Sequence, residues 1–326
     1  MTRQVRHLIS ISDLTDRDCR YILDQAVRFA DRRADSRPML DGLVAGIYFR
    51  KTSTRTRAAF SVGALRLGAR IVTFGPDDLQ TNTRETIDDT ARVLSGMLDI
   101  FVARTTGSTE ELRAFSAPGE MRVINAMSAV EHPTQALADL TTMLRRFGRL
   151  DGLRVLYVGE GNSTAAALAL ALTRFSGVEL ELRTPAGYGL AEDVRTLAAK
   201  QAALSGSLLS ERHDMTGGGE GFDVIYTTRW QTTGTSKPDH DWRELFAPFR
   251  VSSELWRASP QAIFMHDLPA HRGQEVTADV LDGPASIAFD QAQNKLYSAM
   301  AVLTWCSLPQ PAEMTPAAYT ATEAAQ

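Results

Sequence analysis

Residues 43–60 read LVAGIYFRKTSTRTRAAF. The apolar run 43–50 predicts a buried strand. Residues 53–67, with Phe60, Ala64 and Leu67 at helical spacing, predict a helix. A strand that passes into a helix through a short polar turn is the repeating unit of a parallel α/β sheet. The same rhythm continues outward: strands are expected at 69–74, 100–103 and 123–125, with helices at 85–98 and 133–147. Pro133 opens the last of these and Gly148 follows it, the usual asymmetry of helix ends. After Gly148 the pattern restarts, with strands at 153–158, 178–183, 222–227 and 262–265. Residues 159–164 are a turn, 165–175 a helix, and 205–221 a glycine-rich loop. The reading is α/β: two doubly wound parallel-sheet domains, with sites at the carboxyl ends of strands. The domains divide as 1–147 and 148–290, followed by a C-terminal helix and tail over 291–326.

The whole-chain figures fit this architecture and remove other classes. Two domains suit 326 residues, of which 44% are hydrophobic and 23% charged. A net charge of −4 lacks the basic surplus that sequence-independent nucleic-acid binding needs. The longest apolar run is the eight residues 165–172, against the roughly 20 of a spanning helix. The start of the chain shows no apolar signal segment, so a cytoplasmic, membrane-free protein is expected. Cys19 and Cys306 are the only cysteines, too few for a disulfide framework or a cysteine-rich zinc site. His7, His213, His240 and His271 have no metal-like spacing, and no metal is expected.

Three segments carry chemistry. Ser53, Thr54 and Thr56 place hydroxyls, and Arg55 and Arg57 guanidinium forks, at a helix start whose free N–H groups suit a phosphate. A capped helix with two solvated arginines is the plainer alternative, but this donor set exceeds what capping requires. In EHPTQALADL, residues 131–140, His132 opens a helix with Gln135 one turn on, and both can point at a carbonyl or amide of a ligand; a structural cap is the alternative. In FMHDLPAHRGQEV, residues 264–276, a strand ends at Asp267 beside Leu268-Pro269, where a cis bond is expected.

Taken together, these segments resemble the transcarbamylase family, the aspartate and ornithine carbamoyltransferases. The motifs that carry the resemblance are Ser-Thr-Arg-Thr-Arg (53–57), His-Pro-Thr-Gln (132–135) and His-Asp-Leu-Pro (266–269). Weaker agreement runs through 84–94 (RETIDDTARVL), 102–104, 159–162 (GEGN) and 290–295 (DQAQNK). The resemblance implies carbamoyl transfer from carbamoyl phosphate to an amine, without a cofactor, in a homotrimer or a multiple of trimers. The active site would lie between the domains and at a subunit interface. It further implies that Ser53, Thr54, Arg55, Thr56, Arg57, Gln80, Arg104, His132, Gln135, Leu268 and Lys295 hold carbamoyl phosphate, with Gln80 reaching a neighbouring subunit. Arg104, His132 and Thr56 would donate toward the carbamoyl oxygen, and Gln135 and the backbone carbonyl of Leu268 would take the carbamoyl NH2.

The acceptor side departs from the ornithine pattern, which has Asp at 228, Cys at 267 and Arg at 295, where this chain has Thr228, Asp267 and Lys295. Thr228-Arg229-Trp230-Gln231 looks instead like the aspartate branch. Asn162, Thr228, Arg229, Gln231, Thr232 and Asp267 are the expected acceptor residues. The acceptor expected from this hybrid is a small carboxylated amine, a specialised secondary-metabolite amino acid such as a short diamino acid, with Asp267 assisting the reactive nitrogen and ornithine as the alternative. Two other classes fit less well. GEGN imitates a dinucleotide fingerprint but lacks its third glycine and the acidic residue after the next strand, where Arg183 stands. A non-catalytic phosphate binder would not need the intact Arg104, His132 and Arg57.

Overall fold

The computed structural model describes residues 5–32, 38–79, 85–216, 220–231 and 236–308. Its first parallel sheet contains β1 (Val44–Phe49), β2 (Arg70–Phe74), β3 (Ile100–Arg104) and β4 (Arg122–Asn125), in the order β2-β1-β3-β4. The second contains β5 (Arg154–Val158), β6 (Glu179–Arg183), β7 (Leu208–Arg212), β8 (Val224–Thr227) and β9 (Ile263–His266), in the order β7-β6-β5-β8-β9. Every pairing in both sheets is parallel. The helices are α1 (Asp16–Ala30), α2 (Arg55–Arg66), α3 (Ile87–Ser95), α4 (Thr109–Ser116), α5 (Pro133–Phe147), α6 (Ser163–Leu172), α7 (Glu192–Ser205), two short helices α8 (Trp242–Phe246) and α9 (Ala278–Leu281), and α10 (Ala288–Ser307).

Burial explains why the strands read as continuous apolar runs. In β1, Ile47 faces the large core while Tyr48 packs with Phe101 and Phe115 on the opposite face of the sheet. In β5, Tyr157 faces that same large core and Leu156 a third cluster with Ile225 and Phe264. A sheet covered on both faces cannot alternate apolar with polar residues. The large core runs through both sheets by way of α5, α6 and α10, so the two halves share one apolar interior. The helix α10 packs on α1, α2 and α5. Its Asn294 accepts from Arg145 Nη1 at 2.8 Å and donates to Thr142 Oγ1 at 2.9 Å. Gly63 of α2 leaves room for it, since a Cβ there would sit 3.2 Å from Met300 Cγ.

The expected loop over 205–221 is corrected: it contains β7, whose LLSER stretch alternates exposed and half-buried residues. An edge strand half in water lacks the apolar run that marks the central strands. The Gly217–Gly219 stretch of that loop lies outside the described residues, as does the tail from 310. The helix expected at 165–175 begins earlier, at Ser163, because Asn162 caps it, accepting from Thr164 N and Ala165 N at 3.0 and 3.2 Å. Among the described residues no helix is long and apolar enough to cross a membrane.

The strand order fixes where a ligand can sit. In the first sheet the chain leaves β1 for β2 on one side and returns to β3 on the other. In the second the same reversal separates β5 from β8. Crevices open at the carboxyl ends of strands at such reversals. The β1–α2 turn, the end of β3, the β5–α6 turn and the residues after β8 and β9 therefore converge.

Candidate active site

The convergence encloses a cavity of about 230 Å³. Ser53, Thr54, Arg55 and Thr56 line one side, from the β1–α2 turn. Thr54 is the N-cap of α2, and no side-chain hydrogen bond is spent on capping, so the hydroxyls and N–H groups there are not consumed by the helix. Arg55 Nε is buried without a hydrogen-bond partner, a costly state for a donor unless a ligand takes it. Arg57 is exposed and does not line the cavity. This corrects the expectation that it belongs to the donor cluster: two residues beyond Arg55 a helix has turned by about 200°.

Arg104, at the end of β3, and His132 and Gln135, at the start of α5, form the next wall. Burial pushes Arg104 down to about 10, with nearby Arg229 and Arg55 adding to the effect and Asp267 opposing it. Burial, then Lys295 and Arg104, hold His132 well below the ordinary histidine range, so its imidazole is neutral and offers one N–H and one lone pair. Its Nδ1 lies 3.3 Å from Thr134 Oγ1. Lys295 reaches in from α10 and donates to Gln135 Oε1; burial lowers its pKa.

The second half contributes Asn162, Thr164, Thr228, Arg229, Asp267, Leu268 and Pro269. Thr164 Oγ1 donates to Asp267 Oδ2 at 3.0 Å, and Thr228 Oγ1 donates to Oδ1 at 2.9 Å. The Leu268–Pro269 bond is cis, as expected, and Leu268 has a left-handed φ of 54°. Its N–H donates to His266 Nδ1 at 2.8 Å. Gln231 is half-buried but does not line the cavity. Gln80 and Thr232 lie outside the described residues.

Thr52, Met127 and Thr164 also line the cavity and were not anticipated. Thr164 was legible in principle, in the first turn of a helix after the GEGN turn. Met127 belongs to an irregular segment with no sequence signature. A second cavity of about 310 Å³ adjoins the first across Arg104, Met127 and Asn162, and Lys51, Glu160, Tyr188, Ser236 and Lys237 also line it. No group of His, Cys, Asp and Glu able to hold a metal occurs among the described residues.

Four cations, Arg55, Arg104, Arg229 and Lys295, thus face one carboxylate in a space suited to a small anion. Comparison with known proteins agrees with that chemistry. Residues 6–145 match the family profile described as aspartate/ornithine carbamoyltransferase, carbamoyl-P binding domain, and residues 151–306 match its Asp/Orn binding domain. The chain belongs to the aspartate/ornithine carbamoyltransferase family. Among curated relatives, an ornithine carbamoyltransferase of Thermococcus kodakarensis is 39% identical over 303 residues, 91% of this chain and 95% of that one. One from Methanothermobacter thermautotrophicus is 37% identical, covering 92% and 98%. Among solved structures, the ornithine carbamoyltransferase of Pyrococcus furiosus superposes with a TM-score of 0.87 at 38% identity, over 92% of this chain and 96% of that one. The family fold is thus the fold observed here, and the chain is a carbamoyltransferase with a carbamoyl-phosphate half and an amino-acid half.

Proposed function

We propose that this carbamoyltransferase transfers the carbamoyl group of carbamoyl phosphate to an amino group of a diamino acid, releasing phosphate. The observation that carries the reading is the cation-lined cavity whose helix-start hydroxyls are free of capping duty. Ser53, Thr54, Arg55 and Thr56 would take the phosphate. The neutral acceptor nitrogen attacks the carbamoyl carbon, charge develops on the carbonyl oxygen, the carbon–oxygen bond to phosphate breaks, and the nitrogen's proton leaves with the phosphate. Arg104, His132 and Thr56 are the donors for the developing charge. Removing one such donor costs roughly 3–4 kcal/mol in comparable sites.

The names of the relatives favour L-ornithine as acceptor. A second reading, a shorter carboxylated amine, is favoured by one observation: Asp267 stands in the cavity, held by Thr164 and Thr228. In it, Asp267 would pair with the incoming ammonium, whose ordinary pKa is near 10.4, and assist its deprotonation, while Arg229 takes the substrate carboxylate in its guanidinium fork. Asn162 and Thr228 complete the acceptor wall in both readings. The division into residues 1–147, 148–290 and 291–326, the last a C-terminal helix packing back on the first domain plus a tail, trimeric assembly with Gln80 serving a neighbour, and a cytoplasmic location belong to the same proposal, supported by family membership.

The test is phosphate release and ureido-product mass for the purified protein with carbamoyl phosphate and a panel of amines: L-ornithine, L-2,4-diaminobutyrate, L-2,3-diaminopropionate, L-aspartate and putrescine. Ornithine as best acceptor establishes the first reading, and a shorter diamino acid the second. No acceptor-dependent phosphate release with any of them overturns both.

A further inference from the structure

Behind the cavity, the structure buries an acid that touches no expected ligand. Asp139 is fully enclosed in α5. Its Oδ1 accepts from Gln135 Nε2 and from Gln291 Nε2, both at 2.7 Å, and its Oδ2 accepts from the Tyr226 hydroxyl at 2.9 Å. Three donors from three elements, α5, α10 and β8, converge on one carboxylate; burial raises its pKa to about 7, and above that pH the ionised carboxylate only accepts.

This arrangement leaves the Gln135 carboxamide one orientation. Its Nε2 faces Asp139, and its Oε1 faces the cavity and accepts from Lys295. A flipped amide would set its oxygen against the carboxylate and its NH2 against the Lys295 ammonium, losing both bonds. Gln291 is locked in the same way, because its Oε1 accepts from His266 N at 2.8 Å and so its NH2 must point to Asp139. A carboxamide oxygen has two acceptor sites, and Lys295 takes one. Gln135 therefore presents a lone pair, and not an NH2 group, to whatever occupies the cavity.

We infer that Asp139 is a positioning residue that holds the Gln135 carboxamide oxygen toward the donor substrate and thereby makes the enzyme select an acyl phosphate bearing an NH2 over one bearing a methyl group. The inference rests on the reading that the cavity takes carbamoyl phosphate with Gln135 at its NH2, and goes beyond it by assigning Asp139 the task of fixing the orientation of that carboxamide. A site that hydrogen-bonds a substrate N–H rejects an analogue lacking it more strongly than an apolar pocket rejects a difference of similar size.

The experiment compares the KM for carbamoyl phosphate with the Ki of acetyl phosphate as its competitor, at pH 8.5 and saturating acceptor. Asp139→Asn keeps the shape but lets the 135 amide flip. It is expected to lower the ratio of acetyl phosphate Ki to carbamoyl phosphate KM at least tenfold, with the acetyl phosphate Ki moving less than threefold. Gln135→Met should lower the ratio similarly, and Asp139→Asn should add nothing in that background. Equal losses for both ligands, or an Asp139 effect that persists undiminished beside Gln135→Met, overturns the inference. If Asp139→Asn fails to fold, Gln135→Met alone decides, since an unchanged ratio there shows that the carboxamide does not read the NH2. Wild-type protein that neither binds carbamoyl phosphate nor transfers from it overturns the underlying reading instead.

Discussion

The Thr228 hydroxyl donates to Asp267 Oδ1 across 2.9 Å, tying the residue after β8 to the residue after β9 at the rim of the cavity. Thr164 holds the other oxygen, so both carboxylate oxygens are positioned before any acceptor arrives. If the carboxylate handles the acceptor's ammonium, Asp267→Asn should lower kcat by ~100-fold, the scale of a positioned proton-transfer group, while the KM for carbamoyl phosphate stays within threefold. Steady-state kinetics with both substrates varied checks this. A loss seen mainly in the carbamoyl phosphate KM refutes the assignment.

The two arginines of the 53–57 motif are separable. Arg55 lines the cavity with an unpartnered Nε, whereas Arg57 is exposed. Arg55→Ala should reduce kcat/KM for carbamoyl phosphate by at least ~100-fold, the loss of a buried charged donor to a phosphate. Arg57→Ala should change it less than about threefold. Reversed sensitivities would contradict the placement of the phosphate.

Lys237 is expected to act on the acceptor alone. Its ammonium lies 2.6 Å from Glu160 Oε1 and 4.5 Å from the ring centres of both Tyr188 and Phe246. It therefore anchors the segment after β8 to the turn that carries Asn162. Lys237→Met should raise the acceptor KM roughly tenfold, the scale of a desolvated cation–aromatic contact, and leave the carbamoyl phosphate KM unchanged. Arg229→Ala should shift the same parameter, through direct contact with a carboxylate.

Glu131 makes a pH-dependent stability difference. Burial raises its pKa to about 7 from 4.5, against the opposing effect of the Ile11 N–H that donates to it at 2.7 Å. A raised folded pKa means that folding favours the protonated acid. Its contribution is full below 4.5 and is lost as pH rises through 7. Glu131→Gln, which keeps the acceptor oxygen, should therefore stabilise the protein at pH 8 by up to ~3 kcal/mol, and the gain should vanish near pH 4.5. Denaturant unfolding at the two pH values is the measurement, and a gain larger at low pH would reverse the sign.

Much of the fold is legible locally. β1, β3 and β5 are apolar runs because both faces of each sheet are covered, and α5 is bounded by Pro133 and by Gly148, whose φ of 72° suits glycine. The unread elements failed for physical reasons. β7 is an exposed edge. α1 has a Thr15 cap and acidic residues in its first turn, but it precedes the first strand and lies outside the repeating strand-to-helix rhythm.

The sequence by itself determined that Ser53 to Thr56 share one strand-to-helix turn, because that turn is their own local structure. It also determined that Asp267 directly follows a strand, since apolar spacing and the Leu-Pro turn are local signals. Only the tertiary structure decided that Arg57 turns away and that Thr164 and Thr228 hold Asp267 from positions 103 and 39 residues distant. It alone brought Gln291, 152 residues from Asp139, to share that carboxylate with Gln135. Contacts of that span form when two sheets and a returning helix close around one core, and no short-range pattern encodes the angle at which they meet.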